Sequence, residues 1–158
     1  MNYHDNVVKI LKELADKYPH YSKVVPYLDR REPIKIAFEA LTVYYYPDLW
    51  AINKRTKRID VYEVWNTESE DQAIADIYLS AKIPNLLNIC IVCVKTRKNS
   101  WTKEHAYNIV VTVLKDLEAG NPSLKSVRVS HVFIAEVGRN ELKDDKKLRE
   151  SLSRQFEF

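Results

Sequence analysis

The stretch YYYPDLWAINKRTKRIDVYEVW, Tyr44 to Trp65, decides the fold: two apolar runs flank a basic knot, and each run carries a carboxylate among bulky neighbours. If Asn53 and Arg58 close a hairpin around the loop Lys54 to Lys57, Asp48 falls directly opposite Glu63, with Cβ atoms about 4.5–5.5 Å apart. Strand alternation puts both on the face of Trp50, Ile52, Ile59 and Val61. Two like charges opposed on an apolar face are destabilising unless a shared proton or a bound cation compensates. A hard divalent ion does this well, because it prefers carboxylate oxygens. A register slipped by one residue, or a solvated sheet end with Lys or Arg partners, is the plain alternative.

Upstream of the hairpin, Val7, Val8, Ile10, Leu11 and Leu14 recur at helical spacing, which predicts a helix over about 3–17 ending near Pro19. After Pro33, the residues Ile34, Ala37, Phe38 and Leu41 share one helical face with Glu39 beside them, so a second helix is expected. Downstream, Ser69 is a candidate N-cap for a helix to Lys82, with Glu70 and Asp71 in the first turn where the helix dipole favours them. The run Leu86 to Lys95 reads as a central strand buried on both faces, which separates Cys90 and Cys93 onto opposite sides as apolar thiols. A helix from Ser100 or Thr102 to about Glu118, a strand over 127–137 and a charged helix over 140–155 complete the chain. The order α-α-β-β-α-β-α-β-α gives an α/β fold: a central mixed sheet, begun by an antiparallel hairpin and flanked by helices, in a single domain over 1–158.

Pro47-Asp48 at the start of one hairpin strand, Glu63 inside the next, and a helix directly after resemble the PD-(D/E)XK nuclease superfamily, the restriction-endonuclease-like fold. The resemblance covers about Glu39 to Lys95 and is nearest to small archaeal Holliday-junction resolvases and archaeal viral nucleases. It implies a divalent-metal-dependent DNA nuclease using Mg²⁺ or Mn²⁺. Asp48, Glu63 and Glu39 would be metal ligands, with Glu32 and Glu13 as alternatives for the helix carboxylate. The family's lysine stands two residues after the glutamate, where this chain has Trp65. A relocated cation or polar group is then expected from Gln72, Lys82 or Lys95. The second implied reading is a nuclease-fold protein that binds nucleic acid or a protein partner without cleaving.

The formal charge of the 158-residue chain is only +3, from 25 basic and 22 acidic side chains, so attraction to DNA has to come from local clusters. Two stand out: Lys54, Arg55, Lys57 and Arg58 at the hairpin tip, and Lys95, Arg97 and Lys98 after the central strand. Neutralising phosphates with such groups gives affinity without sequence preference. No apolar run reaches the roughly 18 residues of a membrane span, and no GxGxxG, P-loop or GxSxG is present. A cytoplasmic protein is expected, in the host cytoplasm if viral, and a homodimer is a further expectation. Two glycines among abundant Lys, Glu, Ile and Tyr would suit a thermophilic source.

Overall fold

The computed structural model describes residues 2–27, 32–96, 101–120 and 131–158. Helix α1 (Tyr3–Lys17) leads into strand β1 (Tyr21–Pro26), a two-stranded hairpin β2 (Ile34–Phe38) and β3 (Leu41–Tyr45), and then the hairpin β4 (Leu49–Asn53) and β5 (Ile59–Trp65). Helix α2 (Glu70–Ala81), strand β6 (Leu86–Lys95), helix α3 (Lys103–Gly120), strand β7 (Val132–Gly138) and helices α4 (Arg139–Leu142) and α5 (Asp145–Phe156) follow. The main sheet has the order β1-β4-β5-β6-β7. β1, β4 and β5 pair antiparallel, whereas β5, β6 and β7 run parallel through the crossovers α2 and α3. The α/β class, the mixed sheet and its opening hairpin are as the sequence predicts.

Alternation along the strands divides the core in two. Val61 and Trp65 of β5 join Ile89, Ile91 and Cys93 of β6 in one cluster with α2, α3 and the β2–β3 hairpin. Tyr62, Val64, Cys90, Val92 and Val94 turn the other way, onto α1 and α5. The two cysteines therefore sit on opposite faces, both buried and unbridged. Among the described residues no helix is long and apolar enough to cross a membrane.

Local signals explain most of the boundaries. Asn2 caps α1, accepting from the Asp5 amide, and Asp144 caps α5. At α2, Ser69 Oγ accepts from Gln72 N while Gln72 Oε1 accepts from Ser69 N, a reciprocal capping box. The β4–β5 loop is held by Asn53, whose side chain accepts from the amides of Arg55 and Thr56, with Lys57 in the left-handed region at φ 61°.

Two expectations are corrected. Residues 34–45 form the β2–β3 hairpin rather than a helix: Ile34 and Ile36 are buried while Lys35 and Ala37 are exposed, which is period two rather than period 3.6. Strand β1 is an addition to the predicted order. It lies on the sheet edge, where its terminal Pro26 costs no ladder bond. Of the predicted strand over 127–137, the first four residues lie outside the described residues, and β7 runs on to Gly138.

The opposite edge of the sheet is partly closed by the chain itself. Gln155 of α5 donates from Nε2 to the Glu136 carbonyl at 3.0 Å and accepts at Oε1 from the Glu136 amide at 3.0 Å. Its side-chain amide thus bonds β7 as a neighbouring strand would.

Candidate active site

Asn53 N bonds Arg58 O at 2.8 Å, and the ladder runs Ile52 to Ile59, Trp50 to Val61 and Leu49 to Tyr62. This is the predicted register, and one further step brings Asp48 to Glu63. The two carboxyls are close enough for Asp48 to help raise Glu63. Glu63 is 5% exposed and the Asp48 side chain 14%, so the pair is sheltered from bulk water. The hairpin geometry thus puts two carboxyls together on the face that packs against α2.

What compensates them comes from elements far away in sequence. His4, in the first turn of α1, sets Nε2 at 3.0 Å from Asp48 Oδ1, and Asp48 Oδ2 accepts from the Val64 amide at 2.7 Å. The hydrogen bond to Asp48 is the main cause that pushes His4 up to about 9, so the imidazole is cationic at neutral pH. Tyr45, at the end of β3, donates its hydroxyl to Glu63 Oε1 and lies 3.3 Å from Ser80 Oγ of α2. Burial, then Asp48, then Asp76 hold the Glu63 carboxyl well above the usual carboxylate range. Asp76 accepts from Trp65 Nε1 at 3.2 Å; burial pushes it up to about 7, with Asp48 and Glu68 adding to the rise. The arrangement is one of acids crowded together, relieved by one histidine cation and by protons held above their ordinary range.

The other predicted site residues are dispersed. Glu39 stands exposed at the β2–β3 turn, not on a helix beside the pair. Its alternatives are engaged elsewhere, Glu32 with Lys23 and Glu13 with Arg149. The Gln72 side chain is held by the capping box. Lys82 is the C-cap of α2, its Nζ over the Tyr78 ring at 5.5 Å from the centroid, and Lys95 pairs with Glu136 at 3.6 Å. Trp65, at the lysine position, is fully buried, with its ring centroid 4.9 Å from that of Trp101. It fills core volume and offers no surface for a base to stack on.

Among the basic residues, Lys54, Arg55 and Lys57 are exposed at the hairpin tip, while Arg58 donates to the Leu86 carbonyl. The tip is separated from the carboxyl pair by the length of β4, about 17 Å at ~3.4 Å per residue. Arg97 and Lys98 lie outside the described residues.

His4, Tyr45 and Asp76 carry no local signal in the sequence, since each reaches the pair only through tertiary packing. Among the described residues no three His, Cys, Asp or Glu side chains are set close enough to hold a metal ion as they stand. Comparison with known protein families, with characterised proteins and with solved structures gives no match to this chain.

Proposed function

We propose that this protein is a divalent-metal-dependent DNA nuclease of the PD-(D/E)XK type, with Asp48 and Glu63 as its metal-binding carboxylates. The observation that supports it is the β4–β5 register, which opposes two acids on a packed face at a cost in repulsion and desolvation. The donor chemistry fits a hard cation such as Mg²⁺ or Mn²⁺, since the groups are carboxylate oxygens in negative excess. Asp76 takes the place expected of Glu39 as the third acid, and His4 has to release Asp48 for the set to close on an ion.

When bound, the ion supplies Lewis acidity towards the phosphodiester. The chain's own residues do the rest: Tyr45 orients Glu63, Trp65 fixes Asp76 and keeps water from that wall, and His4 provides positive charge. His4 is the only basic side chain in ion-pair contact with the acids among the described residues, so the charge role of the missing lysine falls to α1 rather than to Gln72, Lys82 or Lys95. The exposed Lys54, Arg55 and Lys57 hold the DNA backbone.

The burial of Trp65 favours a second reading, a protein that keeps the fold and binds nucleic acid or a protein partner without cleaving. Divalent-dependent cleavage of linear, supercoiled and branched DNA separates the two. The nuclease reading expects cleavage that Asp48→Asn and Glu63→Gln reduce by on the order of 10² or more. Reproducible absence of cleavage on all three substrates with Mg²⁺ and with Mn²⁺ selects the binding reading.

A further inference from the structure

On the opposite face of the sheet from the carboxyl pair lies a cavity of about 280 Å³ between β5, β6 and α5. Its floor is a polar chain. Tyr62 and Tyr21 hydroxyls are 2.5 Å apart, Tyr21 donates to Asp60 Oδ2 at 2.6 Å, and Asn88 donates to Asp60 Oδ1 at 2.9 Å. Asp60 is thus held by Tyr21 on one oxygen and by Asn88 on the other, with the Asn88 backbone acting on it as well. Tyr21, which also donates to Asp60, acts as acceptor towards Tyr62, so both protons of the pair run towards the acid.

The walls are aromatic. Tyr62 meets Phe156 edge-on at 5.6 Å and Phe158 in a stack at 6.1 Å, while Tyr18 meets Tyr21 and Phe158 edge-on at 4.9 and 5.7 Å. Glu157, in the left-handed region at φ 56°, turns the chain at the end of α5 so that Phe158 folds back over the sheet. All these residues line the cavity, and so does the exposed Glu157.

Charge decides what such a cavity takes. Two acids line it, and among the described residues no Lys, Arg or His does. Arg58 donates to the Leu86 carbonyl and offsets part of the Asp60 charge without lining the cavity. Aromatic faces and a buried carboxylate attract a positive charge that is weakly hydrated, whereas an anion would meet repulsion from Asp60 and Glu157. The volume lies just under the roughly 300 Å³ at which drug-sized sites begin, which limits the occupant to a small molecule.

We propose that this cavity is a binding site for a small organic cation of the alkylated ammonium class, its charged head among the aromatic rings and facing Asp60. The site is independent of the carboxyl pair on the other face, and its test does not depend on DNA cleavage. Choline and tetramethylammonium are titrated against the full chain by calorimetry and by protein NMR, beside dimethylbutanol, the uncharged carbon isostere of choline, and a neutral nucleoside.

The expected result is saturable binding of the ammonium ions, with the isostere at least about tenfold weaker. Asp60→Asn, which keeps the shape and removes the charge, lowers affinity by about tenfold or more. Should that variant fail to fold, Phe158→Ala tests the aromatic wall instead: it removes a ring that stacks on Tyr62 but no member of the hydrogen-bonded chain, and it too lowers affinity for the ammonium ions by about tenfold. No saturable binding of either ammonium ion, equal binding of the isostere, binding of the nucleoside alone, or full affinity in the folded variant overturns the proposal.

Discussion

At the scale of single residues, the carboxyl pair makes stability depend on pH in an unusual direction. Asp76 at about 7 and Glu63, also raised, hold their protons more tightly folded than unfolded. Their contribution is full below the ordinary carboxyl pKa and is lost as pH rises through the folded values. His4, raised to about 9, contributes fully below 6.5 and fades as pH passes 9. All three act in one sense, so thermal stability is expected to fall from about pH 4 to pH 9 rather than peak near neutrality. Glu63→Gln, which still accepts from Tyr45, should stabilise the protein by about 1–2 kcal/mol at pH 8 and flatten the profile in a melting series. His4→Ala should cost about 1 kcal/mol at pH 6, after allowance for solvent screening, and much less at pH 10. A pH profile unchanged by either substitution would show that the acids are not coupled in this way.

Among the elements, the β4–β5 hairpin was legible because its register follows from a four-residue loop closed by Asn53 and Arg58, and because alternation then fixes each face. The helix α2 was legible from Ser69 and the acids of its first turn. The β2–β3 hairpin was not, because Ile34, Ala37, Phe38 and Leu41 satisfy a helical spacing as well as Ile34, Ile36 and Phe38 satisfy a strand. Pairing with Thr42, Val43 and Tyr44, β-branched or aromatic residues suited to strands, decides between them. β1 escaped because an edge strand with Lys23 and Pro26 lacks the apolar alternation of an interior one. The site was half legible for a related reason: the acids on the hairpin are linked by local pairing, whereas His4 and Asp76 arrive on helices whose docking no short pattern encodes. The corrected position of Glu39 has its own test. Since it is exposed on a turn, Glu39→Ala should change stability by no more than about 0.5 kcal/mol, and under the proposed metal site it should leave a Mn²⁺-induced change in tryptophan fluorescence intact, whereas Asp76→Asn should alter it.

For the whole molecule, the separation between the basic hairpin tip and the carboxyl pair means that a nucleic acid engaging both has to lie along β4. Under the proposed DNA-binding function, replacing Lys54, Arg55 and Lys57 together by Ala should then reduce the log–log salt slope of that binding by about 2–3, read from isotherms at several salt concentrations. An unchanged slope would take the tip out of the footprint. The Gln155 clasp on β7 bears on a different problem, that of reaching the native state at all. Until α5 docks, the outer groups of Glu136 are open to any strand that passes, and another chain competes with the glutamine for them. The clasp therefore acts as a timer on assembly: its loss in Gln155→Ala should appear less in the melting temperature than in a refolding yield that drops as protein concentration rises.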